Sequence, residues 1–219
     1  MTYAFTREKL VTRIALCVGI CLPFIYYGAQ FVAAPFFPGY SFIRDMASVL
    51  GSATAKQPMI WNTGMILLGL ATIFAAFGFF RGFQQIGTRS YLTWISSVAI
   101  LSNGSLSIAS GIFPLGDPRH NGGLLAIGAL LLPWIFAASL WRQKDARLLR
   151  FYLIASGTVV FAMAPIMGQA VEMGLNDYRG LLQRVLTLGM FPPLGLVAWY
   201  LNKISSRHGA LNESIPDAR

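Results

Sequence analysis

Apolar residues run in six long stretches, at about 14–34, 59–80, 92–113, 124–141, 151–171 and 181–201, with short polar segments between them. At a rise of about 1.5 Å per residue each stretch reaches roughly 27–33 Å as a helix. The hydrocarbon core of a bilayer is about 30 Å thick and takes about 20 apolar residues to cross. The pattern predicts an all-α integral membrane protein whose residues 1–203 form a six-transmembrane-helix bundle. The polar segment 204–219 contains Pro216 and has no helical periodicity, so it is expected to be a disordered tail.

The first stretch follows Arg7, Lys9 and Arg13, as the apolar core of a signal peptide would. It is longer than such a core, and Pro35 follows the small-residue site Val32-Ala33-Ala34, so an uncleaved first helix is expected. Pro23, Pro133, Pro165, Pro192 and Pro193 fall inside stretches and predict kinks. Ser107 and Gly111, four apart, predict close approach of the third helix to a neighbour. Trp61, Tyr91, Trp94, Trp141, Tyr152, Trp199 and Tyr200 lie near stretch ends and suit an interfacial aromatic belt. Cys17 and Cys21 share one helix face in poor geometry for a disulfide and read as small buried apolar side chains.

Composition supports the class. Of 219 residues, 55% are hydrophobic and 11% charged, against about a quarter charged in soluble domains; mean hydropathy is +0.59. The formal charge of +9 raises nucleic acid as a partner. The cations instead cluster between apolar runs without a basic, aromatic-interleaved stripe, so nucleic acid is not expected. With the N-terminus in the cytoplasm, twelve Lys and Arg fall in inner segments and only Arg44, Lys56, Arg119, Arg179 and Arg184 in outer ones. The positive-inside bias therefore predicts both termini cytoplasmic. The Arg142–Arg150 loop reads as an orientation signal and a contact for anionic headgroups.

That topology gathers polar residues at the outer face. The first outer loop contributes Tyr40, Ser41, Arg44, Asp45 and Ser48 and is expected to pack on the bundle as a short interfacial helix. Asn62 follows at the next helix end; Asp117, Arg119, His120 and Asn121 end the third span; Gln183 and Arg184 open the sixth. An ionisable group at membrane depth needs a partner, and Asp45 or Asp117 is the expected partner of Arg184. Asp117 and His120 are placed to share a proton, although no nucleophile is marked. No HExxH or paired-His spacing marks a metal site, and no cofactor is implied. Asn103, in mid-span, is expected to hydrogen-bond across helices.

Four segments, YSFIRDMASVLG, WNTGMILLG, GIFPLGDPRHNGG and LLQRV, resemble in order an uncharacterised family of bacterial six-helix membrane proteins, domain of unknown function 998. That family is distantly similar to the Frag1/DRAM/Sfk1 group. The resemblance implies a multi-pass protein of the bacterial inner membrane and singles out Ser41, Asp45, Asn62, Pro114, Asp117, His120, Gln183 and Arg184. It implies no reaction; lipid remodelling among the distant group makes a lipid role an analogy.

The leading expectation is a pocket for a lipid or other amphiphile, built from Ser41, Asp45, Asn62, Asp117, His120, Gln183 and Arg184, with Arg184 gripping an anionic group. A second reading is an intramembrane enzyme on a lipid or isoprenoid, with Asp117, His120 and Asp45 as acid–base residues. A third is a structural or assembly subunit. Membrane lipids are the expected partners, with another membrane protein or a second copy as further ones.

Overall fold

A computed structural model describes residues 2–120 and 122–213. Asn121 and residues 214–219 of the tail lie outside the described residues. The described residues form helices and turns without a strand: α1 (Thr2–Ala33), α2 (Pro58–Gln85), α3 (Ser90–Ile112), α4 (Leu125–Ser139), α5 (Arg147–Gly168) and α6 (Arg179–Glu213). Five of them are long and apolar enough to cross a membrane. The fourth apolar stretch, expected over 124–141, gives a shorter helix, Leu125–Ser139, which starts just after the Gly122–Gly123 turn (φ +64° and +52°) and ends two residues early. Helix α6 runs on from the last apolar stretch through Glu213, so 204–213 are helical where the sequence suggests a disordered tail; no proline interrupts the chain between Pro193 and Pro216.

Each helix packs against the next in sequence, and α6 closes the ring on α1 while touching α2 and α4. The buried positions explain the geometry. Along α1 they are Thr12, Ala15, Leu16, Gly19, Leu22, Tyr26, Gln30 and Ala33, a stripe at helical spacing. Phe79 and Phe83 of α2 meet Phe136 of α4 at ring-centroid distances of 5.4 and 5.8 Å. The opposite faces carry exposed apolar side chains such as Phe24, Phe31, Trp94, Leu148 and Phe161. A surface of this kind is stable in lipid rather than in water.

Two further sequence expectations change. Cys17 and Cys21 are free and exposed, because they fall off the buried stripe of α1. Trp61 and Tyr200 are buried rather than interfacial, at 3% and 6% exposure, whereas Tyr91, Trp94, Trp141 and Trp199 are at least half exposed (54%, 61%, 65% and 50%). The prolines, by contrast, do sit inside α1, α4, α5 and α6.

The seam between α2 and α3 is made by absent side chains. A Cβ on Gly69 would lie 2.5 Å from the Gly104 carbonyl oxygen, and one on Gly111 would lie 2.6 Å from that of Asn62. The expected close approach at Gly111 is therefore real. Gly69→Val should separate the two helices and destabilise the bundle by about 1–3 kcal/mol, seen as a lower thermal midpoint in detergent. Gly28→Ala, with nothing within 4 Å of the new methyl, should leave the midpoint unchanged or slightly raised.

Candidate functional site

The α1–α2, α3–α4 and α5–α6 connections gather at one end of the ring, termed here the distal end. Residues 37–57 fold across it as a cap, with one 3-10 segment, Ala47–Gly51, in place of the expected interfacial helix. The cap is irregular because Pro38-Gly39 and Ser41 favour turns; Gly39 adopts φ +72°. Ser41 Oγ accepts from the amides of Ile43 and Arg44, and Asp45 Oδ2 accepts from the Ser41 amide at 2.8 Å. Both residues therefore shape their own turn.

The cap is fastened to the start of α6 through its main chain. Gly180 N donates to Arg44 O at 3.1 Å and Leu181 N donates to Ile43 O at 2.8 Å. Arg184 Nη1 donates to Asp45 O at 3.1 Å and to Gly180 O at 2.8 Å, and its Nη2 donates to Tyr40 Oη at 2.6 Å. The guanidinium also lies 4.8 Å from the Phe42 ring centroid. Ala47 N donates to Gln183 Oε1 at 2.6 Å, and Asn62 Nδ2 of α2 donates to Gly51 O at 3.1 Å. Gly180 is required here, since a Cβ would lie 2.5 Å from Asp45 O. Burial raises the pKa of the Tyr40 phenol, against the opposing pull of Arg184.

These contacts correct two expectations. Arg184 pairs with neither carboxylate: it meets the main-chain oxygen of Asp45, while the Asp45 carboxylate takes Arg44 at 3.2 Å. Asp117 does not share a proton with His120. Its carboxylate accepts from Arg119 Nε at 2.9 Å and Nη2 at 2.7 Å, and Arg119 holds its pKa down at about 2. His120 turns its Nδ1 to Phe113 O at 2.6 Å. That carbonyl has no proton to give, so Nδ1 carries the hydrogen and a neutral His120 keeps its lone pair on Nε2.

Beneath the cap, where α1, α2, α3 and α6 converge, lies a cavity of about 250 Å³. Its polar lining is Ser48, Asn103, Ser107, Ser110, His120 and Gln183; Tyr26, Trp61, Met65 and Phe191 are among its apolar walls. Asn103 is 2% exposed and its Nδ2 has no hydrogen-bond partner, so the expected bond across helices is not made. A buried donor left unpaired costs about 1–3 kcal/mol. Ser107 Oγ donates to Asn103 O and Ser110 Oγ to Ser107 O, which leaves their oxygen lone pairs available.

Of the polar residues that the sequence gathers at the outer face, Ser48, His120 and Gln183 are the described ones that line this cavity. Asn62, Arg184, Ser41 and Asp45 build and fasten the cap, and Asp117 orders the α3–α4 loop. Asn103 was given only a cross-helix bond and Ser107 only a packing role, and Ser110 was missed. Their signal was present as polar positions spaced i, i+4, i+7, one face of a helix. A larger groove of about 780 Å³, lined by Pro23, Phe24, Phe31, Pro192 and Trp199, lies between α1 and α6. Among the described residues its lining includes no charged side chain, and bilayer chains suffice to fill it.

Apolar helices closed into a ring, with a capped polar cavity at one end, define a helical membrane-protein class. Within that class the chain belongs to the family described as protein of unknown function (DUF998), whose model matches residues 20–200. No curated protein and no solved structure matches it, and the more distant likeness to the Frag1/DRAM/Sfk1 group has no match behind it.

Arg184→Gln should loosen the cap: hydrogen exchange of amides 39–51 should quicken by about tenfold or more, as expected for charge-assisted bonds worth about 1.5–3 kcal/mol. Arg44→Gln, which removes an exposed ion pair and an exposed bond to Gly39 O, should have a smaller effect. For Asp117 the folded pKa lies below the unfolded one. Its ordering of the loop is therefore fully present above about pH 4 and is lost as pH falls through about 2. A carboxyl NMR titration should show that low midpoint, and Arg119→Gln should return it toward about 3.9.

Proposed function

We propose that this is a six-span membrane protein of the bacterial inner membrane, with both termini in the cytoplasm and the capped end extracytoplasmic. Its distal cavity binds the polar group of a membrane lipid or other amphiphile. The observation that carries the reading is Asn103, a buried amide with an unpaired donor lining a cavity that also presents His120 and Gln183. A bound acceptor oxygen would relieve that penalty. The distribution of Lys and Arg supports the orientation.

The Asp117–His120 pair on which the acid–base reading relied loses its support, because Asp117 is committed to Arg119 and His120 Nδ1 to a main-chain carbonyl. Arg184 gripping an anion loses its support as well, since both terminal nitrogens serve the cap.

Native mass spectrometry of protein released from membrane tests the proposal. The wild type should carry a discrete lipid species that Asn103→Leu loses, while the thermal midpoint stays the same or rises because an unpaired donor has gone. A wild type free of bound lipid, or a variant that keeps it, would reject the pocket, and a stoichiometric protein partner in the preparation would favour a subunit role. A membrane-impermeant thiol reagent should label Thr54→Cys in intact cells; no labelling would reverse the orientation.

A further inference from the structure

We infer that the polar group this cavity takes is uncharged, an ester carbonyl next to a hydroxyl as in a neutral glycerolipid, rather than a phosphate or carboxylate. The inference rests on the lipid-binding reading and narrows it.

The first argument is the charge inventory. Among the described residues, no Lys, Arg, Asp or Glu lines the cavity. Three of the five distal cations are held elsewhere: Arg184 on Asp45 O, Gly180 O and Tyr40 Oη, Arg44 on the Asp45 carboxylate, and Arg119 on Asp117; the other two, Lys56 and Arg179, are not in the lining. Phe113 flanks Arg119 further, with the guanidinium 4.0 Å from its ring centroid. An anion brought into an apolar-walled space without a cation meets a large desolvation penalty. A neutral group meets none of that size.

The second argument is the pattern of donors and acceptors. Asn103 Nδ2 is a donor with no partner. Gln183 has given its Oε1 to Ala47 N, which leaves the donating end of its amide. His120, fixed by Phe113 O, offers Nε2 as an acceptor, and Ser107 and Ser110 have donated their protons to helix carbonyls and can only accept. A carbonyl oxygen answers the two amide donors, and a hydroxyl hydrogen answers Nε2. A phosphate, which only accepts when fully ionised, would leave Nε2 and the Ser107 and Ser110 oxygens facing further lone pairs, with the Ser48 hydroxyl as one added donor. At about 250 Å³ the space is smaller than pockets that enclose a whole drug-sized ligand, so it takes a headgroup and leaves the chains outside.

The test uses a matched pair of probes, 1,2-dioleoylglycerol and dioleoyl phosphatidic acid, which differ by the phosphate on the hydroxyl. Each is titrated into delipidated full-length protein and its Asn103→Leu variant, and adducts are measured by native mass spectrometry. The neutral lipid should bind at least about tenfold more tightly, a difference of about 1.4 kcal/mol, and that binding should be lost in the variant. Phosphatidic acid binding as tightly or more tightly, and lost in the variant, would overturn the neutral-group inference while keeping the cavity as the lipid site. Binding of both probes unaffected by Asn103→Leu, or absent throughout, would remove the cavity reading itself and leave a hydrated void.

Discussion

A helix begins with amides that have no carbonyl one turn back, and at the start of α6 the main chain of the α1–α2 connection supplies two of them. Ile43 O and Arg44 O take the first-turn amides, Asp45 O takes Arg184, and Ala47 N is held by Gln183. Four positions within a five-residue stretch are thereby fastened to one helix turn. The rest of the distal end depends on this. The cap brings Ser48 over the cavity, and Asn62 secures the cap's far end to α2 through Gly51 O. Backbone-to-helix fastening suits a site near lipid, where unpaired main-chain groups are costly.

The helices were legible because membrane spans declare themselves by length and apolarity alone. The partner of Arg184 was not. Sequence reasoning pairs a cation with a carboxylate, whereas here the acceptors are main-chain oxygens and a phenol, available at any residue and visible only once the chain is folded. Asp45 was named as a partner, correctly in position and wrongly in the atom. Asp117 and His120 failed as a pair for a related reason: three residues apart in a tight turn, each found a nearer partner, Arg119 and Phe113 O.

Trp61 was misread because apolar stretch ends look interfacial from sequence, while the cap covers this one and makes it an interior wall. The cavity's own polar stripe, Asn103, Ser107 and Ser110, was present in the sequence at helical spacing. It was overshadowed by charged residues in the loops, which carry more apparent chemistry but spend it on holding the loops in place.

The short fourth helix has a consequence for the surrounding bilayer. Fifteen residues rise only about 22 Å, less than the hydrocarbon thickness that the other helices exceed. On that flank the lipid has to thin or its headgroups have to follow the protein inward. The Gly122–Gly123 turn beside α4 is next in the chain to His120's loop, and the Ser102 hydroxyl donates to Leu125 O where the helix starts. The mismatch thus gives the ring a preferred side. Across a bilayer, polar lipid heads would sit deeper along α4 than around the rest of the ring.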